Sequence, residues 1–452
     1  MERIHIYHTN DVHSHFEHWP RIQKLLLDRK ELHKEAGEEC YIFDIGDHMD
    51  RYHPYSDATR GKGNTDILNE SGYTAVTIGN NEGITLPYED LDHMYGHAQF
   101  DVIIANLFNN EGNIPDWATP YRVYVTNNDC RIAVIGLTAF FSHFYSLLGW
   151  NLSEPFSELK RLLDTLKNRC DAIVLLSHLG IHDDERLAEE FPEIDVILGA
   201  HTHHILHTGK LVNHTLLAAA GKYGMFVGHV TLTIDDKRIV SKEAILYDTN
   251  DLPPVDNETK MIDFWYAEGK EQLSQVFLNI PPIKGTKSNL SLILCQALKD
   301  WCKADCAFIN EGMILQDMKS GAVSDFDLLT ICPHPINPCV VNLTGNELKE
   351  VLIQSQDEEW PDLKIKGFGF RGTFMGEMVY EGIEIEKLKS GFNFRIQSSE
   401  LEGDRRYRVA IPDMYTFGMF FPEIKRAKNK TFFFPEFLRD ILKWKLISTF
   451  QG

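Results

Sequence analysis

Ile4-His5-Ile6-Tyr7-His8-Thr9-Asn10-Asp11-Val12-His13 lies near the start of the 452-residue chain, and its reading decides the fold. Residues 4–9 are apolar on alternate positions, the period of a half-buried strand. The run ends in Asp-x-His. The same device returns four times: Tyr41–Gly46 ends at Asp47, Ala75–Gly79 at Asn80, Ala172–Ser177 at His178, and Asp195–Ala200 at His201-x-His203. Helical spacing separates these runs, over Pro20–Lys34 (Ile22, Leu25, Leu26, Leu32), Asn64–Ser71, Pro155–Asn168 and Asp184–Glu190. Val102–Ala105 and Ile132–Leu137 read as further strands, and Val227–Ile234 alternates like an antiparallel one. Strands alternating with helices predict an α/β layered fold with a buried sheet.

Ligands gather at the carboxyl ends of strands in α/β sheets, so the five ends can converge on one site. Taken singly each signal is weak. Asp-x-His is a common chance pattern, a lone histidine can cap a strand, and Asn80 after Gly79 can be a turn residue. The conjunction decides, because order, placement and chemical type agree at all five ends. Imidazole, carboxylate and amide donors without cysteine favour Mn²⁺, Fe²⁺, Co²⁺ or Zn²⁺ over Ca²⁺ and over a structural zinc. Two ions about 3.5–4 Å apart need a bridging carboxylate, and Asp47 stands alone in the right place for it.

Thr9-Asn10-Asp11-x-His13, Gly46-Asp47, Gly79-Asn80, Leu176-Ser177-His178 and Gly199-Ala200-His201-Thr202-His203 together resemble the calcineurin-like metallophosphoesterases. More narrowly they resemble the branch of 5′-nucleotidases, UDP-sugar hydrolases and 2′,3′-cyclic phosphodiesterases. The resemblance covers about residues 1–250 and continues more weakly beyond. It implies a two-sheet sandwich flanked by helices, with two divalent metal ions. One would take Asp11, His13, Asp47 and His203, and the other Asp47, Asn80, His178 and His201. It also implies in-line attack on phosphorus by a metal-bridging hydroxide.

One position departs from the pattern. The family's Gly-Asn-His-Glu motif reads Gly79-Asn80-Asn81-Glu82 here, and Ile84 stands where an assisting aspartate is often found. Asparagine can donate a hydrogen bond to a phosphoryl oxygen but cannot transfer a proton near pH 7. Three expectations follow: substrates with good leaving groups, a substitute histidine (His48, His53, His143 or His204), or nucleotide binding with vestigial turnover. Retained catalysis is the leading one, since the ligand set is complete. Asn81 and Arg51 are then the candidates to hold phosphoryl oxygens, with a surface ion pair near Asp50 as the plain alternative for Arg51.

Asp248–Glu258, with two prolines among Asp and Asn, reads as a domain boundary. The expected division is 1–250, a linker and connecting helix over 251–280 (the helix at Lys260–Leu278, ended before Pro281-Pro282), and a second domain over 281–452. That domain shows a helix at Leu290–Lys303, strands at Ala307–Asn310 and Val340–Leu343, a helix at Glu347–Gln354, and hairpin-like composition over Lys364–Ile385. Phe308–Leu315 resembles the family's Asn-Gly-Gly-Gly-Ile-Arg signature at Asn310 and Gly312, but Leu315 replaces its arginine. Asp325–Leu329, Pro333, Asn337 and Leu343-Thr344-Gly345-x-x-Leu348 continue the likeness. An α+β C-terminal nucleotidase-type domain is implied. Its aromatic base sandwich would draw on Tyr415, Phe417 and Phe420 in Pro412–Phe421, opposite Phe368 or Phe370. Asn310 is a further substrate contact, and Arg371 is the candidate to replace the missing arginine. Aromatic residues in such segments are more often core.

Lys+Arg 45 against Asp+Glu 66 gives a net charge of −21, which repels nucleic-acid polymers and makes bound cations the natural source of phosphate affinity. Hydrophobic content of 43% is that of a globular chain. No apolar run reaches the roughly 18–20 residues of a membrane span, and no secretory signal is visible. Eight scattered cysteines without a Cys-x-x-Cys pair fit reduced thiols and a cytoplasmic location. The expected activity is hydrolysis of nucleotides or related small organophosphates. The alternatives are a phosphodiesterase for cyclic or bis-ester nucleotides and a metal-loaded binding module.

Overall fold

A computed structural model describes residues 1–280, 287–417 and 420–450. It divides into two compact units, Met1–Gly269 and Lys270–Gly452.

The first unit holds two six-stranded sheets. One has the order 238–248, 226–235, 2–9, 39–44, 75–76, 101–102. Glu2–Thr9 pairs in parallel with Glu39–Asp44 and antiparallel with Phe226–Asp235. The other has the order 210–212, 215–218, 196–199, 172–177, 131–137, 121–125. The inward faces meet: Ile4, Ile6 and Phe43 of the first sheet share a core with Val134, Val174, Leu176 and Leu198 of the second. Strand periodicity then turns the intervening residues outward. Ala133, Ile135, Ile173, Leu175 and Ile197 pack beneath the helices Pro155–Leu166 and Ile181–Glu190 through Leu159, Leu162, Leu166 and Leu187. The expected sandwich flanked by helices is what forms.

The outer face of the first sheet carries a buried polar chain. His5 Nδ1 lies 3.0 Å from His229 Nε2, and His5 Nε2 and His33 Nδ1 lie 3.2 and 3.1 Å from Glu38 Oε2. Tyr7 Oη lies 3.0 Å from His33 Nε2, and Tyr247 Oη lies 3.5 Å from His229 Nδ1. One proton arrangement satisfies the chain: each hydroxyl donates to a ring nitrogen, His229 donates to His5, and His5 and His33 donate to Glu38. The His5 and His33 rings are stacked, with centroids 3.7 Å apart at 15°. A cation cannot lie in both ring planes, so this histidine trio is a packing network.

The helix Glu258–Leu273 stops short of the expected Leu278, because Val276–Ile280 is a strand paired with Gly321–Ser324. Its first part belongs to the first unit: Trp265 is buried, Glu258 accepts from Arg21, and a Cβ on Gly269 would meet the backbone of Pro54 and Tyr55. The division thus falls inside this helix. Pro281 and Pro282 lie outside the described residues.

The second unit centres on a five-stranded sheet of order 378–381, 306–310, 406–412, 338–344, 430–432. The helices Lys287–Cys302, Gly345–Gln354 and Leu438–Phe450 accompany it. Leu294, Leu298, Phe308, Val340, Leu348, Val409 and Leu442 are core residues. Lys364–Ile385 closes no hairpin within itself, but its end enters the strand Ile383–Lys387, the first arm of a hairpin with Phe392–Ile396. It contributes one isolated bridge, Lys364 to Phe374, and two strands that Gly382 (φ 73°) sends to different sheets.

Burial lowers His229 to about 3, with His5 and His33 adding repulsion. Its unfolded value near 6.5 means that the unfolded chain binds the extra proton between those limits, so stability falls as pH drops below 6.5. His229→Gln, which cannot titrate, is expected to flatten the decline in urea midpoint between pH 6.5 and 4. Parallel curves for the two proteins would refute the neutral network.

Candidate metal centre

Two loops leave neighbouring strands and stay zipped together. Ile45 N donates to the Thr9 carbonyl at 2.9 Å, Asp11 N to Gly46 at 3.0 Å, His13 N to Asp47 at 2.8 Å and Ser14 N to His48 at 2.9 Å. The ladder continues past the strands and brings Asp11 and His13 to Asp47. The turns required are tight. Asp11, His13, Asp47, His201 and His203 all have positive φ, between 50° and 68°. Left-handed backbone costs about 1–3 kcal/mol per non-glycine residue, and Asp, Asn and His are among the few that adopt it readily. Gly79 is needed for space: a Cβ there would lie 2.1 Å from Asp47 Oδ1 and 2.5 Å from His178 Cε1.

The side chains converge in two groups, Asp11 with His13 and His203, and Asp47 with His178 and His201. The groups adjoin. Asp47 Oδ2 is 3.8 Å from His13 Nε2 and 3.5 Å from His178 Nε2, and Asp11 Oδ1 is 3.4 Å from His203 Nε2. Asn80 opens the short helix Asn80–Thr85. All seven strand-end residues therefore sit at one end of the sandwich. Three of their buried polar atoms, His13 Nε2, His178 Nε2 and Asn80 Oδ1, have no hydrogen-bond partner among the described residues.

Supporting groups hold the donors in place. His178 Nδ1 donates to the Ile45 carbonyl at 2.7 Å, which leaves Nε2 as the nitrogen turned to the carboxylates. His201 N donates to Asp11 Oδ2 at 3.0 Å, and Asn10 Nδ2 does so at 2.8 Å. Burial opposes charge here, but the Asp47 and Asp11 carboxylates outweigh it and raise His178 to about 10. Burial likewise opposes ionisation of Asp11 and Asp47, and the surrounding imidazoles more than offset it, holding both below the usual carboxylate range. A divalent cation here would displace the His178 proton. Unpartnered donor atoms, ionised carboxylates and imidazoles anchored through their far nitrogens fit such an ion.

The remaining sequence candidates fall elsewhere. Asn81 Nδ2 lies 2.7 Å from His13 Nδ1 and donates to the Met49 carbonyl at 3.2 Å, so its amide is turned onto the protein. Arg51 is 4% exposed; its Nε donates to Asp57 at 2.7 Å and its Nη1 to the Thr85 carbonyl. It is a buried tie between loops and not a surface residue, and Asp50 is buried as well. His48 is buried edge-on against Trp19, with Nδ1 3.1 Å from Asn64, and burial lowers it to about 3. His53 caps the helix Pro54–Ala58, while His143 and His204 are exposed. Sequence reasoning misses Glu82. Its carboxylate accepts from Asp47 N, Met49 N and Gly79 N at 3.0, 2.9 and 2.9 Å, gathering the loop of Asp47 onto the loop of Asn80. The available signal is a glutamate three residues after Gly79 at a helix start.

In the second unit Asn310 is fully buried; it donates to the Met375 carbonyl and accepts from Tyr415. Phe370 lies flat on His334, with centroids 4.9 Å apart, and is core. Phe420 is also buried, edge-on to Tyr415. Phe417 is exposed and faces Phe368 at 6.1 Å and 20°. Arg371 is half-buried, its backbone N donating to His334 Nδ1. Gly418 and Met419 lie outside the described residues.

Residues 4–204 match the calcineurin-like phosphoesterase family. The metallophosphoesterase YunD of Bacillus subtilis (strain 168) is 44% identical over 98% of this chain and 99% of its own length. The chain belongs to the calcineurin-like metallophosphoesterases. Residues 271–419 of this phosphoesterase match the 5′-nucleotidase C-terminal domain. Among solved structures, a putative 5′-nucleotidase from Staphylococcus aureus superposes with TM-score 0.69 at 18% identity, over 99% of this chain and 97% of that one. A 5′-nucleotidase precursor from Thermus thermophilus gives 0.62 at 21%, over 99% and 96%. These two likenesses are of fold. Family membership makes the chain a phosphoric-ester hydrolase of a class that uses divalent metals.

Gly79→Ala is expected to push Asp47 or His178 aside and weaken Mn²⁺ binding about 10-fold or more in calorimetric titration. Unchanged affinity would show that the close approach of these loops is not required.

Proposed function

We propose that this phosphoesterase hydrolyses nucleotides or related small organophosphates at a dinuclear centre. Asp11, His13, Asp47 and His203 hold one ion, and Asp47, Asn80, His178 and His201 hold the other, with Asp47 as the bridge. The observation that carries the reading is the convergence of His13 Nε2 and His178 Nε2, buried and without a hydrogen-bond partner among the described residues, on the Asp11 and Asp47 carboxylates. Bound ions of this kind stabilise charge on a phosphoryl group and lower the pKa of water between them. The protein's own part is to hold the donors. The Ile45 carbonyl fixes the tautomer of His178, His201 N and Asn10 steady Asp11, and Glu82 binds three backbone N–H groups beside Asp47.

The substrate's organic part is assigned to the second unit, on the strength of its family match and the exposed Phe417 facing Phe368. Stacking on aromatic rings is worth about 1–3 kcal/mol per base and accepts any base. A second reading rests on Asn81. With no imidazole at that position to protonate a leaving group, cyclic or bis-ester nucleotides, which leave more readily, are favoured over monoesters. A cytoplasmic location is proposed on the eight free thiols.

A substrate panel tests both readings: nucleoside monophosphates, cyclic nucleotides, nucleotide sugars and bis-aryl phosphodiesters, each with Mn²⁺ and with chelator. Turnover that chelator abolishes and Mn²⁺ restores is expected, and turnover indifferent to chelator would end the metal reading. The ratio of diester to monoester rates decides between the two substrate classes. Asp47→Ala is expected to cut turnover at least about 100-fold, and full activity in that variant would remove the bridge.

A further inference from the structure

We infer that Asn81 is a positioning residue that sets the ring nitrogen through which His13 can bind a cation, not a group that touches substrate. The inference rests on the reading of this cluster as a metal centre.

Asn81 ties its own helix to two other pieces of the site. Its side-chain nitrogen lies 2.7 Å from His13 Nδ1, on the loop after the first strand. The same nitrogen donates to the Met49 carbonyl at 3.2 Å, on the loop of Asp47. Its backbone N donates to Asp47 Oδ1 at 2.7 Å, and its carbonyl accepts from Thr85 Oγ1. Both N–H bonds of the amide are thereby used within the protein, and the residue is 7% exposed. Asp50 Oδ2 lies farther from His13 Nδ1, at 3.7 Å.

The tautomer follows. When the amide N–H donates to Nδ1, a neutral His13 carries its proton on Nε2. Nε2 is the nitrogen that faces Asp11 Oδ1 and Asp47 Oδ2, at 3.8 Å from each, and it has no other partner. A cation held between those carboxylates requires Nε2 as a bare lone pair, with the proton moved to Nδ1. A half-turn about the last side-chain bond of Asn81 exchanges the two ends of its amide. The oxygen then occupies the 2.7 Å position and accepts from Nδ1–H. The cost is the hydrogen bond to Met49 and the longer one, at 3.5 Å, that Asn81 Oδ1 accepts from Asn80 Nδ2. Asn81 therefore has two settings, amide nitrogen on His13 without the ion and amide oxygen on His13 with it. Aspartate would supply only the second setting, and leucine, of similar volume, supplies neither.

The test is Co²⁺ titration of the full chain, followed by calorimetry and by the visible absorption of the bound ion. Asn81→Leu is expected to weaken Co²⁺ binding by about 10–100-fold, the usual effect of losing a group behind a ligating histidine. Asn81→Asp is expected to bind at least as tightly as the unsubstituted chain and to keep its absorption spectrum, which reports ligand geometry in a way that added negative charge alone does not. Unchanged affinity in Asn81→Leu would overturn the inference. So would Asn81→Asp binding as weakly as Asn81→Leu or with an altered spectrum, and this variant decides the matter if the leucine variant does not fold. Should the unsubstituted chain take up no Co²⁺, the metal reading itself fails; uptake that is insensitive to residue 81 removes the role of Asn81 alone.

Discussion

Two ionised carboxylates, Asp11 and Asp47, are shut inside the first unit, and its architecture answers that constraint. An isolated buried charge is expensive, and it persists only where partners surround it. Here the partners are imidazoles and backbone N–H groups, delivered by five strand ends. The apolar strands behind them make the scaffold stiff. Ile4, Phe43, Val174 and Leu198 pack between the sheets, so the ends they carry have little freedom to separate. Glu82 binds N–H groups of the Asp47 and Asn80 loops at once, and its own burial raises it to about 7, with Asp47 adding repulsion. The cost of holding negative charge together is spread over a ring of groups.

The placement of the seven ligand candidates was legible because two periods coincided in the sequence: alternation within each run, and a ligating residue at each run's end. Placement followed from this pattern, since the parallel strands of each sheet bring their carboxyl ends to one edge, and both sheets bring those edges to the same end of the sandwich. Side-chain direction was not legible. Arg51 looks outward in the sequence and is inward in the fold, because Asp57 supplies a buried partner on the next turn of chain. His48 follows Asp47 directly, yet its ring turns away onto Trp19. Spacing along a loop carries no such information.

The second unit shows the same limit in another form. Two of its sheet strands and two of its helices followed from the sequence pattern, whereas its remaining strands, the helix Leu438–Phe450 and the choice among its aromatic residues did not. Phe368 and Phe370 are close neighbours in the chain, and a left-handed turn at Phe368 (φ 56°) separates their fates. Phe370 goes to His334 and the core, and Phe368 goes to Phe417. Val276–Leu278, read as the tail of a helix, lies in the strand Val276–Ile280 because Gly321–Ser324 offers it a partner from far along the chain. Non-local pairing of this kind overrides local propensity.

The left-handed backbone at Asp11, His13, Asp47, His201 and His203 bears on how such a centre can be altered by design. At those five positions the replacement must satisfy two demands together, a donor atom and tolerance of the mirror-image turn. Aspartate, asparagine and histidine meet both. Cysteine lacks the ring or carbonyl that makes this conformation tolerable, and glycine has no donor. A conversion to softer, thiolate-preferring ions is thus handicapped by the main chain before coordination chemistry is considered. Asn80 and His178, the two candidates outside this conformation, are where altered selectivity would meet the least backbone resistance.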